Sequence, residues 1–466
     1  MATPKPSKTA ADQSAVAATR KTLDYIEKEN KALNAFIAIT RETALAEAAL
    51  ADAKAAAGDA RGVLHGVAIA VKDIIDLAGV VSGCGSLTRK QAPPAERDAA
   101  AVMRIRAAGA IIPGKTHTVE YAFGGYGTNV TVGTPKNPWD RKTHRIPGGS
   151  SSGSGVAVGG HLVPGALGTD TGGSVRIPAA LCGCVGLKTS VGRVGRSRVA
   201  PLSNTLDSIG PIAQDVTMAA RMFVALQGHD PDDPTTDGIR AADPMPDLER
   251  GISGMRFGRI ADADMALTTP EVRADFDAAL KLLADLGARI DPIKLPESLE
   301  TLGAKCGDII APEAYAYYRH FVEDPKSGLA DPIRTRMLGG KTVSAADYIA
   351  RIAAQRQAIA GFHRTFDRLD AILLPTIPFP AIAVAEVDEA KSPMAAHTRW
   401  VNYLNLAALA LPTALSKGGL PMSLQIVVRH LDDALALRIG RAFETARHAF
   451  PKPPGAFAQP PGSAKA

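Results

Sequence analysis

A glycine- and serine-rich segment constrains this chain more than any other stretch of it: PGGSSSGSGVAVGGHLVPGALGTDTGGSVRIPAALCGCVGLKT, residues 147–189. It holds two Gly/Ser clusters, Gly148–Gly155 and Gly172–Ser174, joined by an almost uncharged stretch. Each glycine raises the entropy cost of folding and adds no side chain to a core. Such a concentration indicates unusual backbone angles, or N–H groups that must approach a ligand. Because acyl transfer needs a hydroxyl beside such N–H groups, Ser174 is the first candidate nucleophile.

The bulk composition is that of an ordinary enzyme with a sizeable core. Hydrophobic residues make up 46% of the chain and charged residues 21%. The net charge of +6 comes from 53 basic and 47 acidic residues without a Lys/Arg block, which favours a mildly basic surface over a nucleic-acid site. A length of 466 residues is long enough for two or three domains, but no linker divides the chain.

Neither cysteine spacing nor apolar runs indicate a disulfide scaffold, a metal site or a membrane segment. The four cysteines follow no disulfide or zinc pattern, and Cys182 and Cys184 are expected to be small buried residues. The start, MATPKPSKTAADQS, lacks the apolar core of a secretory signal, and no uninterrupted apolar run is long enough to span a membrane. We therefore expect a cytoplasmic protein without metal, cofactor or membrane contact, and disorder at residues 1–12 and 451–466.

Strand and helix patterns alternate along the chain. GVLHGVAIAVKD predicts a buried strand, apolar on both faces, that ends at Lys72 and Asp73. AIIPGKT predicts a second strand ending in Lys115, TVEYAFGG the start of a helix, and RIPAALCG a short helix after Ser174. We predict one large α/β domain over residues 13–450, with a mixed, mostly parallel sheet covered by helices on both faces.

Two familiar motifs match by letter but not by context. GAIIPGKT (109–116) fits the phosphate-loop pattern, yet a helical pattern precedes it and its variable positions are those of a buried strand. GSSSG (149–153) fits the nucleophile elbow around Ser151, yet the preceding residues are polar and no downstream His is marked as its partner. Both interpretations are disfavoured.

A lysine is the candidate base for Ser174, because no His lies near it in sequence. A lysine accepts a proton near neutral pH only when burial or neighbouring charge lowers its pKa. A lysine that closes a wholly apolar strand meets this condition, which nominates Lys72 first and Lys115 second. The alternative for Lys72 is a structural salt bridge at a strand end.

Three segments together resemble the amidase signature family of serine hydrolases: VAIAVKD, GGSSSGSG and GTDTGGSVRIPAALCGCVGLKTS. The close resemblance covers about residues 60–215, and looser features such as LLPTIPFP and GLPMSLQIV continue toward the end. It implies the amidase signature fold and a Ser–cis-Ser–Lys triad of Ser174, Ser150 and Lys72. It also implies a cis peptide bond before Ser150, an acyl-enzyme, and an oxyanion hole made by the N–H groups of Thr171, Gly172, Gly173 and Ser174.

Residues beside the proposed triad are expected to support the Ser174 loop or to line the substrate pocket. Asp170 and Arg176 are expected to form an ion pair that braces the nucleophile loop. The loop YAFGGYGTN (121–129) resembles the family segment that lines the acyl pocket, with backbone contacts from Ala122, Gly124 and Gly125. Tyr126 either closes that pocket or simply packs.

The substrate region, about residues 216–400, contains few recognisable features, so several functions stay open. The first is an amidohydrolase that cleaves a small carboxamide and releases ammonia or an amine. The second is the amidase (A-type) subunit of a glutamyl/aspartyl-tRNA amidotransferase, which delivers ammonia from glutamine to a partner. Ile177 and the pair Lys188-Thr189 depart from the residues expected in that type of subunit. An esterase and a non-enzymatic relative are further alternatives, and a homodimer or a small partner subunit stays open.

Overall fold

Eleven strands of the described chain join in one continuous sheet. The computed structural model describes residues 14–59, 62–391 and 393–456. The strands are β1 (Phe36–Ile39), β2 (Ile69–Lys72), β3 (Gly114–Thr116), β4 (Gly165–Asp170), β5 (Val185–Lys188), β6 (Ser208–Ala213), β7 (Arg256–Ile260), β8 (Arg289–Ile293), β9 (Ala371–Pro375), β10 (Ala407–Leu415) and β11 (Pro421–Val428). Their spatial order is β1-β3-β2-β4-β6-β5-β10-β11-β9-β7-β8.

Twelve α-helices surround the sheet within the same described ranges. They are α1 (Ala15–Leu33), α2 (Arg41–Ala57), α3 (Ala100–Ala107), α4 (Ser152–Gly159), α5 (Arg176–Cys182), α6 (Val216–Leu226), α7 (Pro270–Asp285), α8 (Leu299–Val322), α9 (Asp331–Leu338), α10 (Ala345–Phe362), α11 (Arg399–Tyr403) and α12 (Asp433–Ala446). The predicted single α/β domain with a mixed sheet is confirmed.

The direction of the strands corrects one expectation. β2 pairs in parallel with β3 and β4, and β7 pairs in parallel with β8 and β9. The other six neighbouring pairs that the structure describes are antiparallel, so the prediction of a mostly parallel sheet is wrong. The reason lies in the connections, because β5–β6 and β10–β11 are joined without the crossover helix that a parallel pair requires.

Strand β2 is apolar on both faces because helices cover both sides of the sheet. Ile69 and Val71 belong to the core cluster that includes α6 and α12, whereas Ala70 belongs to the cluster that includes α4 and α5. The prediction that helices cover both faces of the sheet is therefore confirmed. Lys72 follows directly in this doubly covered strand, so its side chain is carried into the interior.

One predicted helix does not form. The segment after Val119 makes only a 3-10 turn at Glu120–Ala122, with Tyr121 and Ala122 at positive φ (47° and 61°). The chain then runs alongside the first Gly/Ser cluster, where the Gly149 N–H donates to the carbonyl of Gly125 at 2.8 Å. Pairing with that loop replaces the helix.

Part of the predicted C-terminal tail belongs to the described structure. The predicted disorder of residues 1–12 lies outside the described residues, as does that of residues 457–466. Residues 451–456 are described, and the carbonyl of Pro454 accepts a hydrogen bond from Arg141 at 3.2 Å. None of the helices within the described ranges has the length and apolar character needed to cross a bilayer.

Candidate active site

The site forms where two parallel strands end at the same edge of the sheet. β2 and β4 are paired from Ile69–Gly165 to Val71–Leu167. Lys72 is the last residue of β2, and β4 ends at Asp170, immediately before the glycine-rich loop that carries Ser174. The parallel register therefore brings the lysine and the nucleophile loop together.

Lys72 is fully buried and bonded to two hydroxyl groups. Its Nζ lies 2.7 Å from Ser150 Oγ and 2.7 Å from Thr169 Oγ1. Burial lowers the pKa of Lys72 to about 7, while the more distant carboxylates of Asp207 and Asp170 oppose this shift. Close to neutral pH, this amine can act as a proton acceptor.

Ser150 is held from two sides. The Gly149–Ser150 peptide bond is cis, as the family resemblance implies. The carbonyl of Ser150 accepts hydrogen bonds from the Val119 N–H at 3.0 Å and from Thr118 Oγ1 at 3.1 Å. With the Ser150 backbone fixed in this way, its hydroxyl reaches Lys72 while remaining fully buried.

The loop carrying Ser174 is organised by the carboxylate of Asp170. That carboxylate accepts hydrogen bonds from the N–H groups of Gly173 (2.8 Å), Val175 (3.1 Å) and Arg176 (3.4 Å). Gly173 has a φ of +130°, and a Cβ there would lie 2.3 Å from Thr398 Oγ1, so only glycine fits. This geometry corrects the expected oxyanion hole, because the Gly173 N–H already has an acceptor.

A buried ion pair braces this loop, as the sequence predicts for Asp170 and Arg176. Arg176 Nη2 lies 2.8 Å from Asp170 Oδ1 and its Nε 3.0 Å from Oδ2, with both side chains fully buried. Burial opposes ionisation of Asp170, but the guanidinium outweighs it and holds the pKa of that carboxyl well below its usual range. Arg176 also donates to Gln425 Oε1 (2.7 Å) and Asn402 Oδ1 (2.6 Å).

Ser174 opens into a narrow surface cleft and is itself 8% exposed. The cleft is lined by Ala122, Phe123, Gly124, Gly125, Thr171, Gly172, Ser174, Ile177, Leu202, Ile310, Arg336, Ala395 and Arg399. Ala122, Gly124 and Gly125, which were expected to line the acyl pocket, therefore line this cleft. Tyr126 is not among the lining residues: it is 4% exposed and packs in a core cluster with Trp139 and Ile146, which supports the packing alternative.

The structure places the disfavoured motif residues in structural roles. Lys115 is buried, forms an ion pair with Asp73 at 3.1 Å and donates to Ser82 Oγ at 2.7 Å. Within the described chain, the hydroxyl of Ser151, the centre of the elbow match, bonds the carbonyl and the N–H of Thr169, at 3.3 Å each. Cys182 is fully buried, as expected, and has a free thiol.

Sequence reasoning missed two groups of residues. Thr169, which contacts Lys72, lies in the strand that leads into the nucleophile loop. It could have been found from the sequence, because it is the only residue of β4 with a hydroxyl group. The other group comes from the C-terminal half of the chain: Arg336, Thr398, Arg399, Asn402 and Gln425. No local pattern marks these residues, because their roles arise from contacts across more than 150 positions.

Comparisons with known proteins show which family the whole chain resembles. The sequence model of the amidase family matches residues 17–437. The A-type subunit of glutamyl-tRNA(Gln) amidotransferase from Geobacter metallireducens is 33% identical over 466 aligned residues, covering 93% of this chain and 94% of the relative.

Two solved structures show the same fold over almost the whole chain. One belongs to a vestigial protein complex that reveals the evolutionary origins of an s-triazine catabolic enzyme (30% identity, TM-score 0.88, covering 94% of this chain and 96% of that one). The other is native peptide amidase from Stenotrophomonas maltophilia (28% identity, TM-score 0.83, covering 95% and 96%).

Proposed function

This chain belongs to the amidase signature family, and on that premise we propose that it cleaves a small carboxamide through an acyl-enzyme on Ser174. The observation that carries the proposal is the contact between the buried Lys72 amine and Ser150 Oγ, at 2.7 Å, beside the loop of Ser174. A buried amine with a pKa of about 7 has the protonation behaviour that a general base needs.

The proposed reaction moves one proton out along the triad and back again. Neutral Lys72 takes the proton of Ser150 while Ser150 takes that of Ser174. Ser174 Oγ bonds to the amide carbon, and the oxyanion is stabilised by the N–H groups of the loop that remain as candidates, Thr171, Gly172 and Ser174. The C–N bond then breaks as the proton returns to the leaving nitrogen, and water hydrolyses the ester.

A second candidate is the A-type component of an amidotransferase, in which the released ammonia passes to a partner protein. The relatives support this candidate better than the hydrolase, since they are named as the A-type subunit of glutamyl-tRNA(Gln) amidotransferase. Local chemistry supports the hydrolase instead: Ile177, in place of the expected Gln, lines the cleft. The small-molecule amide is the substrate in either case.

Ammonia release from a panel of amides, including glutamine, tests the proposal. We expect the wild-type chain to release ammonia and Ser174→Ala to lose this activity entirely. The matched control is Ser152→Ala, which removes another buried serine hydroxyl of the same glycine-rich segment; this hydroxyl has no hydrogen-bond partner in the described part of the chain. Equal turnover by wild type and Ser174→Ala would refute the proposed nucleophile.

Purification of the wild-type chain from its native cells separates the two candidates. A chain that purifies alone and cleaves amides without added protein supports the hydrolase. A chain that copurifies with a partner, and shows strong glutaminase activity only in its presence, supports the amidotransferase component.

A further inference from the structure

The charges in the Ser174 cleft are all of one sign. Arg336 and Arg399 are its two charged lining residues, and none of the lining residues in the described chain is Asp or Glu. Low-dielectric walls strengthen the effect of such charges on a ligand. The cleft therefore presents positive charge to whatever group enters it.

Arg336 is already committed to partners within the protein. Its Nη2 donates to Glu389 Oε2 at 2.5 Å and to the Glu389 carbonyl at 2.8 Å. Its Nη1 donates to the carbonyl of Phe123 at 2.7 Å. The positive charge of Arg336 is thus compensated by Glu389, and its donors hold the Phe123 turn in place.

Arg399 differs because its guanidinium has no comparable partner. No hydrogen bond or ion pair joins it to any residue of the described chain, although it is partly buried. Burial lowers the pKa of Arg399, and the main group that opposes this shift is the Cys306 thiol. Burial raises the pKa of that thiol to about 12, so it is neutral at pH 7. A partly desolvated cation without a counter-charge is costly unless an anion binds it.

The backbone holds Arg399 against the nucleophile loop. Thr398 Oγ1 donates to the carbonyl of Gly172 at 2.6 Å, and the Thr398 carbonyl accepts from Arg176 at 3.0 Å. On the other side, Trp400 is fully buried. The Arg399 stem lies beside Gly172, where its Cγ would be 3.3 Å from an added Cβ. The free guanidinium is therefore carried by a fixed segment next to Ser174.

We propose that Arg399 binds a carboxylate on the acyl portion of the substrate, so that the preferred substrates are monoamides of short dicarboxylic acids. This inference rests on the proposed function. The planar guanidinium is suited to bind a carboxylate through two hydrogen bonds. An α-ammonium group, as in glutamine, would face the uncompensated charge of Arg399 and find no carboxylate among the described lining residues, so we expect glutamine to be a poor ligand.

Direct binding to the Ser174→Ala protein tests the proposal without turnover. The probes are the monoamides of malonic, succinic and glutaric acid, each paired with its neutral, isosteric diamide, and glutamine. In calorimetric titrations we expect the best monoamide to bind at least about 30-fold more tightly than its diamide, the size of effect that a charge-assisted pair supplies. Glutamine is expected to bind more weakly than the monoamide of glutaric acid.

Arginine variants assign the preference to one side chain. Arg399→Met, made in the same background, is expected to reduce the preference to about 3-fold or less, and Arg399→Lys to retain part of it. The control Arg356→Met removes an exposed arginine of α10 and is expected to leave the preference intact. A preference that is absent for all three pairs, or that survives Arg399→Met, overturns the proposal.

The outcome is distinguishable from failure of the proposed function. Ammonia release from the diamides by wild type that is lost in Ser174→Ala, without any carboxylate preference, would keep the amidase function and overturn the role of Arg399. Carboxylate preference lost in Arg399→Met, without Ser174-dependent ammonia release from any amide, would keep anion binding by Arg399 and overturn the amidase function.

Discussion

The pH dependence of amide cleavage tests Lys72 as the base more directly than its removal does. In the proposed mechanism only the neutral amine is active, and burial lowers the pKa of Lys72 from 10.5 to about 7. A lysine with the ordinary pKa would be neutral in about 0.03% of molecules at pH 7, whereas a pKa of about 7 makes about half of them neutral.

The magnitude follows from this neutral fraction. Below pH 7 the fraction falls about tenfold per pH unit, to about 1% at pH 5. We therefore expect kcat/KM to be about 50-fold lower at pH 5 than at pH 7, and to level off above pH 8. Because kcat/KM reports the free enzyme, the midpoint should lie close to the pKa of Lys72 in the unoccupied site.

The assay is ammonia release at low substrate concentration between pH 5 and pH 9, in buffers of constant ionic strength. Lys188 supplies the matched control, because it is also fully buried and burial lowers its pKa to about 8. It donates to the carbonyls of Thr189 (3.0 Å) and Leu406 (2.9 Å), so Lys188→Met is expected to leave the midpoint unchanged. A rate that is flat down to pH 5, or a midpoint that moves in Lys188→Met, would refute the assignment to Lys72.

Three further predictions concern the residues around the triad. Lys72→Met is expected to raise the free energy of unfolding at pH 7 by up to about 4 kcal/mol, because the unfolded lysine holds a proton that the buried one tends to lose. Denaturant titrations should show this gain shrinking as pH rises toward 10.5. Asp170→Asn should lower the free energy of unfolding by about 3–5 kcal/mol, since it leaves the buried guanidinium of Arg176 unpaired; an unchanged denaturation midpoint would contradict this. Gly173→Ala should lose amide turnover because its Cβ would lie 2.3 Å from Thr398 Oγ1. Gly172→Ala should retain more, because its nearest neighbour would be the flexible Arg399 stem at 3.3 Å, with Ile310 at 3.9 Å; equal turnover by the two would argue against this packing.

Much of the candidate site can be predicted because its signals are local. The apolar residues on either side of Lys72 in one strand nominate it, and the structure buries it as that pattern predicts. The glycine-rich loop nominates Ser174, and the family resemblance implies Ser150. The spacing of Asp170 and Arg176 around one turn also suffices to predict their ion pair, which the structure contains.

The roles of other site residues depend on tertiary contacts that a short stretch of sequence does not reveal. The ion pair between Lys115 and Asp73 favours Lys72 as the proposed base, since the Lys72 amine is bonded to two hydroxyl groups instead. Tyr126 lies in a pocket-lining motif, yet its neighbours in the core decide that it packs. The Gly173 N–H loses its expected role because the Asp170 carboxylate turns back onto it.

The sequence by itself therefore determined local features, namely a buried lysine at a strand end and serines in glycine-rich segments, together with the α/β class. Only the tertiary structure decided the antiparallel pairing of most strands and the arrival of Arg399 beside Ser174, 225 positions earlier in the chain. The physical reason is that hydrophobic periodicity and glycine content act on local backbone. Strand direction and cleft charge instead depend on which distant segments pack together.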